Sequence, residues 1–228
     1  MVARWWHTVI AAGVAGAIVA QIVIAVRVSG VPPDVTVGVL RGSSPAGRII
    51  RVLSFFTIQS NLLCGLVSAQ LAASPDRDGR VWRVLRLAAL CGITVTGAVY
   101  SIVLAAVRQP SGAAETGVNL VVHYIVPVMM VAGWLAFGPR PRIGRATVAW
   151  SLLFPVLWIA YTLVRGAIWS WYPYAFINVP ASGYARVALN AVLVTVVLGL
   201  VAALFALGDL ALPPAPRPVR PPAPGRLS

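Results

Sequence analysis

Residues 186–208 read RVALNAVLVTVVLGLVAALFALG, a run whose one charge is Arg186 at its start. A helix needs about 20 apolar residues to cross the hydrocarbon of a bilayer, and this run supplies them without interruption. Its apolar residues are continuous rather than alternating in period two, so it reads as a helix and not as a strand of a membrane barrel. The same criterion applied outward finds further runs at 6–27, 50–73, 86–107, 118–138 and 147–166, each bounded by Arg, Pro or Gly. The first follows Arg4, but it exceeds the apolar core of a signal peptide and Arg27 closes it like a helix end, so it too reads as a span.

Composition supports this reading. Hydrophobic residues make up 59% of the 228 and charged ones 10%, with a mean hydropathy of +0.87. Water-soluble domains carry about 25% charged residues and about 45–50% apolar ones. A soluble enzyme, a secreted disulfide scaffold and a disordered chain are excluded. The expectation is an all-α polytopic membrane protein of the cell membrane: six transmembrane helices in one bundle over residues 1–208. A disordered Pro- and Arg-rich tail, 209–228, follows, with PPAPRPVRPPAPGR at its centre.

All eighteen basic residues are Arg, and the net charge is +13. They sit in loops and at span ends, which suits orientation in a membrane rather than a nucleic-acid footprint, so no nucleic-acid partner is expected. Arg4, Arg77, Arg80, Arg83, Arg86, Arg140, Arg142, Arg145, Arg217, Arg220 and Arg226 fall on one side of the alternating spans. That excess places both termini in the cytoplasm by the positive-inside rule. Cys64 and Cys91 lie inside apolar runs, and His7 and His123 fall toward opposite sides, so no disulfide, metal or haem cofactor is expected.

The informative residues are polar ones that hydrocarbon penalises. SFFTIQSNLL (54–63) carries Ser54, Thr57, Gln59, Ser60 and Asn61; NLVVHYIVPV (119–128) carries Asn119 and His123; Tyr100 and Asn190 lie in the third and sixth runs. Counted from the span ends, Thr57, His123, Asn190 and Tyr100 share a depth of about 6–11 Å at 1.5 Å per residue. One layer in four spans implies a cavity open toward the outer leaflet. WSWYPYAFINVP (169–180) lies on that side, as an aromatic interface belt or as a lid in which Trp171, Tyr174 and Asn178 cover the layer. Arg165 stands at the outer end of the fifth run, able to meet a carboxylate or phosphate, or simply to snorkel.

Within the layer, a neutral imidazole at His123 can accept a proton, and the Thr57 hydroxyl becomes a nucleophile if a base is in reach. Asn61 and Asn119 each stand one helical turn from these residues, placed to steady an oxyanion or orient the imidazole. The plain alternative is a Thr57 hydroxyl bonded to the carbonyl four residues back, Leu53.

FFTIQSNLL (55–63), NLVVHYIVPV (119–128) and WYPYAFINV (171–179), in this order and spacing, resemble bacterial six-span relatives of the androgen-induced-gene and androgen-dependent TFPI-regulating (ADTRP) membrane hydrolases. The similarity spans residues 48–208. It implies a threonine hydrolase of fatty acid esters of hydroxy fatty acids, with Thr57 as nucleophile and His123 as base. QSN at 59–61 departs from the more apolar stretch of the eukaryotic branch. The expected partners are membrane lipids and a lipid-ester or other amphipathic substrate. The competing reading is a non-enzymatic membrane protein, a small-molecule transporter or a lipid-binding or sensory module, with a polar cavity near the outer leaflet.

Overall fold

The computed structural model describes residues 1–27, 44–106, 110 and 112–214. The first connection, 28–43, and the tail beyond 214 lie outside the described residues. Every regular element among the described residues is helical: α1 (Val2–Arg27), α2 (Pro45–Leu53), α3 (Phe56–Ala73), α4 (Arg80–Val99), α5 (Ala113–Leu120), α6 (Val126–Phe137), α7 (Arg145–Ser151), α8 (Leu153–Trp169), α9 (Val179–Ser182) and α10 (Tyr184–Ala211). A π-helical stretch, Tyr100–Leu104, extends α4, and another, Val121–Ile125, joins α5 to α6.

Five continuous helices, Val2–Arg27, Arg80–Leu104, Ala113–Phe137, Arg145–Trp169 and Tyr184–Ala211, are long and apolar enough to cross a membrane. These are the helices of a multi-pass membrane protein. The run expected at 50–73 differs: α2 and α3 meet at 70°, so it is a bent pair of helices rather than one straight helix. Outward faces are apolar, with Val128, Ile168, Leu204, Leu207 and Leu210 between 63 and 73% exposed. Water would penalise such faces, whereas lipid accepts them. Inside, α1, α3, α4 and α6 enclose the main core, where Ile10, Val67, Leu87, Ile93 and Val126 are fully buried.

The arginine-rich connections converge on one end. Arg86 donates to the carbonyls of Gly138 and Pro139, Arg142 to that of Arg77 at 2.7 Å, and Arg140 to that of Trp134. Asp209, 1% exposed, accepts from the backbone N–H groups of Arg142 and Ile143. This corrects one boundary: residues 209–211, expected to open a disordered tail, continue α10, because the Asp209 carboxylate is used to pin the 138–144 connection. At the same end, the Trp6 indole N–H donates to the carbonyl of Met129, and His7 packs edge-on to Phe137. The first and last described residues therefore share this end of the bundle.

Candidate functional site at a broken helix

The break after Leu53 contains neither Pro nor Gly, yet its backbone is fully accounted for on the α2 side. A helix end leaves four carbonyls without intrahelical donors. Here the Ser54 hydroxyl donates to Ile50 O at 2.6 Å, and Ser54 N–H donates to Arg51 O at 3.0 Å. Phe55 N–H donates to Val52 O at 3.2 Å, and the Gln59 amide reaches back to Leu53 O at 3.2 Å. The Ser54 carbonyl itself accepts from the Trp158 indole at 3.0 Å, and its hydroxyl meets the Tyr161 hydroxyl at 2.8 Å. Ser54 and Gln59, polar residues that read from sequence as part of a cavity, are thus the fittings of the break. Trp158 and Tyr161 were not singled out from sequence; an indole and a phenol on one apolar helix were the available signal.

Thr57 consequently lies in the first turn of a helix that begins at this break, where N–H groups lack intrahelical acceptors. Its N–H and its hydroxyl both lie 3.5 Å from the Tyr174 hydroxyl. The N–H groups of Phe56 and Ile58 have no hydrogen-bond acceptor among the described residues. The bond from Thr57 to the Leu53 carbonyl is not formed, because the break turns that carbonyl toward Gln59.

Opposite α3, Pro127 explains the π-helical turn that carries His123. Proline lacks an N–H and its ring clashes with the carbonyl four residues back, here that of His123. The helix widens, and Val126 N–H bonds Val121 O instead of Val122 O. Val122 O would then need the N–H of residue 127, which proline lacks. Asn61 supplies the missing donor: its side-chain nitrogen lies 3.1 Å from Val122 O and 2.9 Å from Thr57 O. Asn61 is fully buried, and both of its N–H bonds are committed to these carbonyls. One side chain therefore ties the helix of Thr57 to the stretch of His123.

The imidazole of His123 stacks on Tyr100, ring centroids 3.9 Å apart at 20°. Tyr100 opens the other π-helical stretch, and such widened turns recur at functional sites. The helices approach closely because Gly97 faces Pro127; a Cβ there would stand 2.9 Å from the proline ring and 3.3 Å from His123 O. No hydrogen bond joins the Thr57 hydroxyl to His123 among the described residues.

The remaining expected residues divide. Tyr174 and Trp171 pack on Phe55, with centroids 5.4 and 5.9 Å away, and Arg165 lies over Trp171 at 4.6 Å, so all three join the site. Asn190 donates to Phe176 O at 2.8 Å, and Asn178 caps α9 through Ala181 N–H; both fix the aromatic segment rather than face Thr57. Ser60, fully buried, abuts Gly92 of α4, and the Asn119 side chain makes no hydrogen bond among the described residues. A groove of about 390 Å³ lies elsewhere, against Ala20, Val23, Ile24 and Arg27 of α1 and Ala114, and neither Thr57 nor His123 lines it. Among the described residues no three His, Cys, Asp or Glu side chains come together as a metal would require.

No family model matches the chain, and neither the curated proteins nor the solved structures contain a match to it.

Proposed function

We propose that this chain is a hydrolase of lipid esters acting within the membrane, with Thr57 as nucleophile and His123 as general base. The observation that carries the reading is the placement of Thr57 in the first turn of an internal helix whose Asn61 is bonded to the stretch that holds His123. The Thr57 oxygen attacks the acyl carbonyl, and the imidazole takes the hydroxyl proton and returns it to the departing alcohol. Water then releases the acyl group from Thr57. The developing oxyanion is received by the open N–H groups at the start of α3, which also present the positive end of the helix dipole. Asn61, whose N–H bonds are already used, acts as a positioning residue. Tyr174, 3.5 Å from the Thr57 hydroxyl, and Tyr100, stacked on His123, hold the two reacting groups. The resemblance to the six-span threonine hydrolases supports the same roles and points to fatty acid esters of hydroxy fatty acids as the substrate class.

The broken α2–α3 pair counts in this reading as one span, giving six. The gathering of the arginine-rich connections with both described termini at one end supports cytoplasmic termini by the positive-inside rule, in a cell membrane. The aromatic segment then lies at the outer leaflet.

A second reading, a lipid-binding or transport protein without bond breaking, is favoured by the Thr57 hydroxyl facing Tyr174 rather than His123. Turnover of a fluorogenic long-chain acyl ester by the purified chain in nanodiscs, together with labelling by a fluorophosphonate, separates the two. Loss of both signals in Thr57→Ala and in His123→Ala, with Thr57→Ser retaining a fraction, is the expected result. Turnover equal to the parent in both alanine variants retires the hydrolase.

A further inference from the structure

Arg165 is only 8% exposed, yet its guanidinium forms no hydrogen bond and no ion pair among the described residues. None of its nitrogens is among the fully buried polar atoms that lack a partner, so the N–H edge reaches the molecular surface while the rest of the side chain is covered. A snorkelling arginine extends its head group into water; this one is laid against indole rings and little of the residue is exposed. It lies 4.6 Å from the Trp171 ring and 5.9 Å from that of Trp169. Arg51, from α2, lies over the same Trp171 ring at 5.4 Å, so two cationic groups share one indole. The wall they share is fixed. Tyr172 lies flat on Gly166, where a Cβ would come within 2.0 Å of its ring, and Asn190 holds Phe176 O.

We propose that Arg165 is the seat for the phosphate of an anionic membrane lipid. A guanidinium offers parallel N–H bonds that match a phosphate, and stacking on an indole leaves its edge free to make them. Trp169, Trp171, Tyr172 and Tyr174 form an aromatic band of the kind that settles at headgroup level, where phosphate is the abundant oxyanion. The positive charge of Arg165 favours a lipid of net negative charge over a zwitterionic one. Because Trp171 and Tyr174 both pack on Phe55, next to Thr57, a lipid held at Arg165 lies along the wall of the candidate site. The seat does not depend on bond breaking, and its test contains no turnover.

Native mass spectrometry of the full chain, released from detergent with dioctanoyl phosphatidylglycerol or dioctanoyl phosphatidylcholine, reads the bound fraction. The expected result is at least tenfold tighter binding of phosphatidylglycerol than of phosphatidylcholine. Arg165→Gln removes that preference, Arg165→Lys keeps part of it, and Arg186→Gln, on the exposed face of α10, changes it less than twofold. Should Arg165→Gln fail to remain monodisperse, Trp171→Leu removes the platform and loses the preference in its place. Three results overturn the proposal: equal affinity for the two lipids, an unchanged preference in both Arg165→Gln and Trp171→Leu, or displacement of the lipid by inorganic phosphate or octanoate at equal concentration, which would make the seat one for free anions or carboxylates.

Discussion

The amide nitrogen of Asn61 donates to the carbonyl of Val122 at 3.1 Å, the very carbonyl that Pro127 deprives of an intrahelical partner. The proline four residues beyond His123 and the asparagine four residues beyond Thr57 are therefore two halves of one device. Proline opens the ladder, asparagine closes it from a neighbouring helix, and the two candidate catalytic residues are held on either side.

This pairing predicts a coupling. Asn61→Ala leaves the Val122 carbonyl without a donor, Thr57 O keeping its helical one, and should lower stability by about 1–3 kcal/mol, toward the lower figure in a membrane where other partners are found. Pro127→Ala restores an N–H at 127. In the Asn61→Ala background it should recover part of the loss, whereas alone it gains little. A double-mutant cycle by thermal unfolding in detergent measures this, and additive effects within about 0.5 kcal/mol would refute the coupling.

The break at Ser54 gives a second prediction. Gln59→Leu strips Leu53 O of its donor, and Trp158→Phe strips Ser54 O. Each should cost about 1–3 kcal/mol, the range for an unsatisfied buried group. Gln59→Leu raises the hydropathy of the span, so a gain in stability would show that the break heals into a straight helix when the amide is removed.

These particulars mark where the sequence is legible. The apolar runs are found because uninterrupted hydrophobicity over such lengths has few other uses, and the polar layer is found because each of its members is costly in lipid. The 70° turn is not found, since SFF carries no Pro or Gly and the turn is specified by donors distant in sequence, Trp158 above all. Tyr174 is legible as part of a lid over the layer, but no local pattern tells that its hydroxyl is the one that stands against Thr57. The use of the Asn61 N–H groups is partly legible. A Pro at 127 in a span announces an unpaired carbonyl nearby, though not which helix answers it.

Asp78 provides the pH dependence. Its carboxyl is held well below the usual carboxylate range, first by the hydrogen bond from Arg83 at 2.6 Å and further by Gly79 N–H and Arg142. A lowered value means that the ionised form is favoured by folding. Its contribution is complete above the ordinary aspartate value of about 4 and is lost as pH falls through the lowered value. The pair is exposed, so the contribution is under about 1 kcal/mol. Asp78→Asn should leave the melting temperature unchanged in its slope between pH 5 and pH 8 (about the neutral range in which the carboxylate is already ionised) and flatten only the acid limb. A difference in slope near neutrality would contradict the assignment.

Asp209 carries the larger load. It is buried, and one carboxylate oxygen accepts from both Arg142 N–H and Ile143 N–H, fastening the 138–144 connection to the end of α10. Asp209→Ala leaves two backbone donors without their acceptor, a loss of about 1–3 kcal/mol by the measure of unsatisfied buried groups. Asp209→Asn keeps an acceptor oxygen and loses the charge, so it should fall between the parent and alanine. Limited trypsin digestion reads the local consequence: cleavage after Arg142 and Arg145 should accelerate in Asp209→Ala ahead of global unfolding. Uniform acceleration at all arginines would instead mean that Asp209 supports the whole bundle. Ester turnover adds a control, because this end of the bundle is remote from Thr57 and activity per folded molecule should stay unchanged in Asp209→Asn.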